Sequence, residues 1–257
     1  FLRPQSDKRQ VQRTRENTWG YYDKELTKNK RDWKEIFDFG PAKGSMRAQW
    51  PTNAPDFRHL CERHFAACER ISFELLAAVS KNMGVSERFL FRDFQPSHSS
   101  FMRLNFYPTC PNPDDTSRDH ISARGHLGIN HHTDSGAITI LTTNGTPGLE
   151  VYGRDQWRPV PPLDDALIVN IGDVVQVWSN DRYRAPLHRV RANDSEERMS
   201  IPFFFNPKHS CNYEPLPYDK ADSPKYRAIN WSEFRAKRAD GDYADWGEEI
   251  QIDHYRI

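Results

Sequence analysis

The clearest hydrophobic pattern in the chain is a stripe of apolar side chains between residues 55 and 83. It consists of Phe57, Leu60, Cys61, Cys68, Ile71, Leu75, Leu76 and Val79. Apolar residues at three- and four-residue intervals lie on one face of a helix, and Gly84 follows as a stop signal. We predict one long helix over 55–83 and a short second helix over 86–91. The stripe is interpreted as a packing face.

From residue 99 the pattern changes to short β-rich runs separated by turn residues. The runs are SSFMRLNFY, GAITILTT, GLEVY, QWRPV, ALIVNIGDVVQVWS, HRVRA and RMSIPFFFN. Gly, Pro, Asn and Asp cluster between them, which is typical of strands joined by tight turns. We therefore predict a mostly β fold with flanking helices, a jelly roll with the long N-terminal helix packed on it. A C-terminal helix is predicted over 231–239, whereas residues 1–54 look charged and irregular.

Composition narrows the class of protein further. Lys+Arg and Asp+Glu both number 36, and a formal net charge of zero argues against a nucleic-acid or membrane-surface protein. No apolar run approaches the ~20 residues of a spanning helix. The four cysteines form no CxxC pair, which argues against a zinc site and favours reduced thiols. We expect a cytoplasmic monomer with no nucleic-acid partner and no membrane partner.

Candidate chemistry begins in the stretch NHHTDSGAITIL, residues 130–141. Side chains alternate faces in an extended chain, so His132 and Asp134 share one face and His131 lies on the other. His188, at the start of a later predicted strand, can supply a second imidazole. Two imidazoles and one carboxylate form the ligand set of non-haem iron(II) oxygenases, with positions left open for dioxygen and an organic ligand. On spacing alone, polar residues at a solvated strand end remain the alternative.

Two other predicted strands carry polar side chains at alternating positions. Arg198 and Ser200 share a face in RMSIPFFFN, and an arginine fork beside a hydroxyl suits a carboxylate. Arg103, Asn105 and Tyr107 share a face in RLNFY, and their polar ends can bind an organic acid by hydrogen bonds.

Several longer motifs follow one another in the chain: RLNFYPTCPNP, LGINHHTDSGAITIL, PGLEVY, IVNIGDVVQVWSNDRYRAPLHRV and RMSIPFFFNP. Together they resemble the isopenicillin-N-synthase-like family of iron(II)- and 2-oxoglutarate-dependent dioxygenases. The earlier RDWKEIFDFG and the tail DYADWGEEIQI are similar to that family too. The resemblance implies a double-stranded β-helix in one dioxygenase domain over 1–257. Its parts are a helical N-terminal part (1–98), a jelly-roll core carrying the iron site (99–210) and a tail with a helix (211–257). We expect a native N-terminal segment before Phe1.

The resemblance also implies two sets of site residues. The iron(II) ligands are His132, Asp134 and His188. The residues that bind 2-oxoglutarate are Arg198, Ser200, Asn105 and Tyr107. The candidate substrate contacts are Arg103, Phe204 and His98. Each substrate contact has a structural alternative that stays open: Arg103 braces the barrel, Phe204 belongs to the core, and His98 is a loop histidine.

The activity implied is the oxidation of an unactivated C–H bond in a small-molecule metabolite, with O2 consumed and succinate and CO2 released. Hydroxylation, desaturation and oxidative cyclisation are all open, in biosynthesis or secondary metabolism. Arg103 and Arg184 suggest a carboxylate-bearing substrate. Two alternatives remain: an iron oxidase of the same family that does not use 2-oxoglutarate, in which Arg198 holds the substrate, and a non-catalytic β-barrel binding protein.

Overall fold

The computed structural model describes residues 1–14, 16–27, 30–42, 46–113, 127–216, 223–241 and 250–257. Its helices are α1 (Gln5–Arg9), α2 (Pro55–Asn82), α3 (Asp173–Trp178) and α4 (Trp231–Gly241), with 3-10 helices at Phe89–Asp93 and Ile252–Tyr255. Its strands are β1 (Gly20–Tyr22), β2 (Leu26–Thr27), β3 (Lys30–Arg31), β4 (Glu35–Phe39), β5 (Phe101–Tyr107), β6 (Leu127–His132), β7 (Ile138–Thr143), β8 (Leu149–Gly153), β9 (Gln156–Pro159), β10 (Ile168–Ile171), β11 (His188–Arg191), β12 (Arg198–Phe205), β13 (Asn212–Tyr213) and β14 (Ile229–Asn230). Most of the tail motif DYADWGEEIQI, residues 242–249, lies outside the described residues.

Two antiparallel sheets form the body of the fold. The main sheet has six strands in the order β1-β4-β5-β12-β7-β10, and the minor sheet has four in the order β6-β11-β8-β9. Both sheets contribute side chains to the wall of one cavity. This arrangement confirms the predicted mostly β jelly roll. No described helix is both long enough and apolar enough to span a membrane.

Helix α2 covers the main sheet on the face away from that cavity. Phe203 and Phe205 of β12 are fully buried and meet Phe65 and Phe73 of α2, with ring centroids 4.9 and 5.0 Å apart. Alternation then turns the even-numbered residues of β12 toward the cavity. The long predicted helix is confirmed, while the shorter one predicted over 86–91 is a 3-10 helix at Phe89–Asp93.

The prediction of one β run for ALIVNIGDVVQVWS is wrong in its second half. Strand β10 ends at Ile171, and α3 begins at Asp173 with all six of its residues buried. A run that is apolar on every side has no period that separates a strand from a helix. Gly172 allows the change, because a Cβ there would lie 2.3 Å from the carbonyl oxygen of Gly136.

The description of the N-terminal part as helical and of residues 1–54 as irregular also needs correction. Strands β1 and β4 extend the main sheet next to β5, and β2 pairs with β3. The charged residues that suggested a solvated segment are buried as ion pairs. Lys34 lies 2.8 Å from Glu25 and 3.0 Å from Asp32, and all three side chains are at most 4% exposed. Hydrophobic patterning cannot detect a strand whose buried charges are neutralised by tertiary partners.

Candidate metal centre and its cavity

Three candidate ligands converge at one end of the minor sheet. His132 is the last residue of β6 and His188 is the first of β11, and the two residues are paired in the antiparallel register. Asp134 follows in the turn after β6. The Nε2 atoms of both histidines lie 3.7 Å from Asp134 Oδ1, and the three donor atoms all lie within 4.8 Å of one another. Local alternation brings His132 and Asp134 together, whereas His188 arrives through strand pairing.

Hydrogen bonds fix the orientation of each donor. The Nδ1 atom of His132 lies 2.8 Å from the carbonyl oxygen of Asn130, and that of His188 lies 3.0 Å from the carbonyl oxygen of Pro186. A carbonyl oxygen only accepts, so Nδ1 carries the proton in both rings. The Nε2 lone pairs therefore point toward the shared centre, which is the arrangement that a metal-binding imidazole requires.

Asp134 is oriented by two residues that the sequence analysis did not identify. Thr139 Oγ1 donates to Asp134 Oδ2 at 2.6 Å, and Asn170 Nδ2 donates to the same oxygen at 2.8 Å. Oδ1 is left to face the histidines. Asn170 lies in IVNIGD on β10, where alternation alone would have shown which face it occupies but not which residue it contacts.

The pKa shifts of His132 and Asp134 favour the protonation states that bind a metal. Burial, together with the nearby His188, lowers the pKa of His132 well below its ordinary value. Burial alone would raise the pKa of Asp134, but His188, His132 and the hydrogen bonds from Asn170 and Thr139 lower it. A neutral imidazole and an ionised carboxylate are the protonation states that bind a divalent cation.

His131 lies on the opposite face of β6, as alternation predicts. Its ring contacts Trp157 at a centroid distance of 6.4 Å, and its Nδ1 lies 3.0 Å from the side-chain oxygen of Asn130. It does not belong to the group of three donors that meet within the described residues.

A second polar patch faces the metal centre from the main sheet. Arg198 pairs across the strands with Tyr107, and Ser200 pairs with Asn105, so all four side chains share one face. The guanidinium carbon of Arg198 lies 5.0 Å from the centre of the Tyr107 ring, and Asn105 Nδ2 donates to Ser200 Oγ at 3.3 Å. The sequence analysis predicted this cluster, and strand register brings it together.

Three buried polar atoms of this patch have no hydrogen-bond partner among the residues that the structure describes. Arg198 is 1% exposed, and its Nε and Nη1 atoms make no hydrogen bond to any residue that the structure describes. The side-chain oxygen of Asn105 is also buried without a partner within the described ranges. A buried guanidinium whose N–H groups lack acceptors costs folding free energy. These N–H groups therefore suit an anionic ligand, whose oxygens would accept their hydrogen bonds.

The metal centre and the patch line one cavity of about 390 Å³. The rest of its wall is largely apolar: Ile129, Leu141, Leu149, Val151, Val160, Ile168 and Val190. Phe204 lines the same cavity and stacks on Phe101 with centroids 4.8 Å apart. A volume of this size suits a small organic ligand.

The other two candidate substrate contacts have different surroundings. Arg103 makes two hydrogen bonds to the Asp38 carboxylate, at 2.7 and 2.8 Å, and one to Glu25 at 2.8 Å. It borders the cavity but braces β5 against β4. His98 lies 2.5 Å from Glu69 Oε1 and lines a neighbouring cavity instead. Arg184 is exposed.

A jelly roll that carries two histidines and one carboxylate at the end of one sheet, and a buried arginine on the other, is typical of the class of non-haem iron oxygenases. Sequence comparison gives the particular family. A family model described as the 2OG-Fe(II) oxygenase superfamily matches residues 98–207. Over these residues the chain is similar to that superfamily.

Two relatives illustrate the similarity in sequence. Gibberellin 20 oxidase 2 of Oryza sativa subsp. japonica is 33% identical over 244 residues, which are 91% of this chain and 60% of that protein. Gibberellin 3-beta-dioxygenase 1 of Arabidopsis thaliana is 30% identical over 220 residues, which are 82% of this chain and 58% of that protein. The chain thus spans about 58–60% of the length of these relatives.

Solved structures show the same fold. A crystal structure of JOX2 in complex with 2OG, Fe and JA matches with a TM-score of 0.80 and 28% identity, covering 91% of this chain and 68% of that one. A full-length Neurospora crassa protein in complex with alpha-KG and thymine matches with a TM-score of 0.80 and 25% identity, covering 93% and 79%. Both of these proteins bind small molecules in the crystal.

Proposed function

We propose that this protein is an iron(II)- and 2-oxoglutarate-dependent dioxygenase that oxidises an unactivated C–H bond of a small-molecule metabolite and releases succinate and CO2. One observation carries the proposal: three oriented donor atoms meet within 4.8 Å, and the same cavity holds a buried arginine whose Nε and Nη1 lack partners among the described residues. The first feature fits iron(II), and the second fits the distal carboxylate of 2-oxoglutarate.

Each metal-binding side chain has a defined part in this proposal. His132 and His188 would hold iron(II) through Nε2, and Asp134 through Oδ1. The carboxylate offsets one of the two positive charges, while the neutral imidazoles leave the remaining charge for a chelating anion. Bound iron(II) supplies the activation of dioxygen for C–H cleavage.

The main-sheet patch would bind the co-substrate. Arg198 and Ser200 hold its distal carboxylate, and Asn105 and Tyr107 assist by fixing the positions of these two side chains. The apolar part of the cavity wall keeps water away from the reacting groups. The protein thus contributes position and a dry pocket, and leaves the difficult chemical step to the iron.

The test is an anaerobic titration of metal-free protein with iron(II) and then with 2-oxoglutarate. We expect a visible charge-transfer band that is present in the wild type and in Arg184→Ala, a control that removes an exposed arginine, and absent from Arg198→Ala at the same ligand concentrations. Iron binding without a band would favour the oxidase that does not use 2-oxoglutarate. Iron binding with neither a band nor O2 uptake on any substrate would favour the binding protein.

The proposal also covers the substrate, which we take to be carboxylate-bearing. Arg235 of α4 lines the cavity, and its guanidinium carbon lies 5.8 Å from the centre of the Phe101 ring. Phe101 stacks on Phe204, so an arginine borders an aromatic shelf. This arrangement suits a ring that carries an acid group. We propose Arg235 for this role in addition to Arg103, which borders the same cavity and also pairs with Asp38 and Glu25.

Substrate-triggered O2 uptake tests this part of the proposal. Ring-bearing carboxylic acids and their primary amides differ in charge and little in shape. We expect a preference for the acids in the wild type and its loss in Arg235→Gln. Turnover of only neutral, carboxylate-free compounds would contradict the proposal.

The remaining expectations about partners and location belong to the same proposal. We propose a monomer that acts in the cytoplasm. We also propose that it has no nucleic-acid or membrane partners, which the zero formal net charge supports. Light scattering after size exclusion would measure the oligomeric state directly.

A further inference from the structure

The residue between two of the proposed iron ligands is held by a side chain from the other end of the chain. Arg238 of α4 reaches the turn after β6, and its Nη2 donates to the carbonyl oxygen of Thr133 at 3.3 Å. Thr133 separates His132 from Asp134, and its carbonyl belongs to the peptide group that leads into Asp134. A bond to this carbonyl limits rotation of that peptide plane.

The guanidinium of Arg238 is itself held in place. Its Nη1 donates to the side-chain oxygen of Gln251 at 2.8 Å and to the carbonyl oxygen of Ile250 at 3.2 Å. The residue as a whole is only 8% exposed. A planar fork with acceptors on two nitrogens has one orientation, so the bond to Thr133 has a fixed direction.

A backbone N–H group of α3 binds the same turn. Asp173, at the start of α3, is fully buried, and its backbone N–H donates to the carbonyl oxygen of Asp134 at 2.8 Å. Arg238 and Asp173 therefore hold consecutive carbonyl groups of the turn, those of Thr133 and Asp134.

We propose that Arg238 is a positioning residue for the metal centre. By holding the Thr133 carbonyl, it sets the direction of the peptide between the two ligands, and so keeps Asp134 Oδ1 3.7 Å from the Nε2 atoms of His132 and His188. The inference rests on the proposed function, because it assumes that these three atoms bind iron(II). Arg238 acts on the ligands through the carbonyl of Thr133, and it also lines the cavity that holds the metal centre.

The experiment compares Arg238→Gln with Lys237→Gln, which removes the same charge from an exposed neighbour on the same helix. Iron(II) affinity is measured anaerobically by calorimetry, and the energy of the 2-oxoglutarate charge-transfer band is recorded. We expect Arg238→Gln to weaken iron(II) binding about 10- to 100-fold and to shift the band, as loss of a partner that orients metal ligands does. Lys237→Gln should match the wild type in both readouts.

A merely structural role predicts a different result. In that case Arg238→Gln would lower the melting temperature while the iron(II) affinity and the band energy of the folded protein stay at wild-type values, and the inference would be overturned. If Arg238→Gln does not fold, Arg238→Lys decides, since lysine keeps the charge but cannot serve these acceptors in one plane. Wild-type affinity and band energy in Arg238→Lys would also overturn the inference.

The two proposals fail in different ways. If the wild-type protein binds no iron(II), the proposed function itself is wrong. If the wild type binds iron(II) and shows the band, but the Arg238 variants are indistinguishable from it in both readouts, the proposed function stands and only the positioning role is lost.

Discussion

The two sides of the cavity are prepared for their ligands in opposite ways. On the minor sheet, the second polar atom of every proposed metal ligand is already bonded, through Asn130, Pro186, Thr139 and Asn170. On the main sheet, Arg198 has buried nitrogens with no hydrogen-bond partner in the part of the chain that the structure describes. The hydrogen bonds that orient the metal ligands are thus formed without a ligand, whereas those of Arg198 are not.

This difference predicts how ligand binding on each side of the cavity affects the stability of the fold. Oriented donors lose little freedom when a metal binds, so the minor sheet contributes affinity. The unpartnered guanidinium raises the free energy of the ligand-free protein, and the co-substrate carboxylate would relieve that penalty on binding. Binding of 2-oxoglutarate should therefore stabilise the fold more than its contact area alone suggests.

The largest effect is expected on iron(II) affinity when one of the proposed metal ligands of the minor sheet is removed. His132→Ala or Asp134→Ala should weaken iron(II) binding by more than about 100-fold, because loss of a ligand exceeds the cost of losing a ligand's hydrogen-bond partner. His131→Ala is the matched control, since it removes an adjacent imidazole from the opposite face. Anaerobic calorimetry measures all three. Equal loss in His131→Ala would show that the assignment of faces is wrong.

The next largest effect is expected on the free energy of unfolding when Arg103, which is paired with carboxylates, is replaced. Arg103→Met should lower the free energy of unfolding by about 2 kcal/mol, because it removes the three hydrogen bonds of Arg103 to the buried Asp38 and Glu25 carboxylates and leaves only Arg13 and Lys34 to neutralise them. Urea denaturation measures the change. Unchanged stability together with impaired substrate oxidation would instead make Arg103 a substrate contact.

Removing Arg198 should change the free energy of unfolding in the opposite direction from removing Arg103. Arg198→Met should raise the stability of the ligand-free protein by roughly 1–3 kcal/mol, because it removes buried donors that lack acceptors. In the wild type, 2-oxoglutarate at 100 times its Kd should add about 2.7 kcal/mol, and this gain should vanish in the variant. Thermal unfolding of iron-loaded protein with and without 2-oxoglutarate tests both parts. A destabilised Arg198→Met would contradict the contrast between the two sides.

The smallest expected effect concerns a residue that only orients a ligand. Asn170→Ala removes one of two hydrogen bonds to Asp134 Oδ2, and iron(II) affinity should fall about 10-fold. Asn112→Ala removes an exposed amide and serves as the control. If Asn170→Ala binds iron(II) as tightly as the control, Thr139 alone is sufficient to orient the carboxylate.

Much of the fold could be read from local patterns. The helical stripe predicted α2, and most of the β runs predicted strands that the structure contains, because side-chain periodicity is a property of short segments. The same argument placed His132 and Asp134 on one face. Residue type and alternation made His188 and Arg198 candidates. Their roles as iron ligand and 2-oxoglutarate residue depended on the resemblance to a family, since spacing alone does not show which distant strands become neighbours.

Local patterns failed where burial was decided by distant partners. The run DVVQVW is buried on all sides, so its helix has no polar face to reveal it. The ion pairs of Glu25, Asp32 and Lys34 concealed strands at the N-terminus, because charged residues ordinarily indicate solvent.

Arg103 and Arg198 show where the sequence stops being sufficient. Each lies in a β run next to apolar residues, and alternation turns each toward the cavity. The sequence determined that much, because alternation is set by the backbone of the strand itself. Strand register decided the rest: Asp38 lies opposite Arg103 and neutralises it, whereas Tyr107, which has no carboxylate, lies opposite Arg198. The residue opposite each arginine on the neighbouring strand determines whether the arginine forms a structural ion pair or is available for a ligand. Only the tertiary structure determines which residue lies opposite.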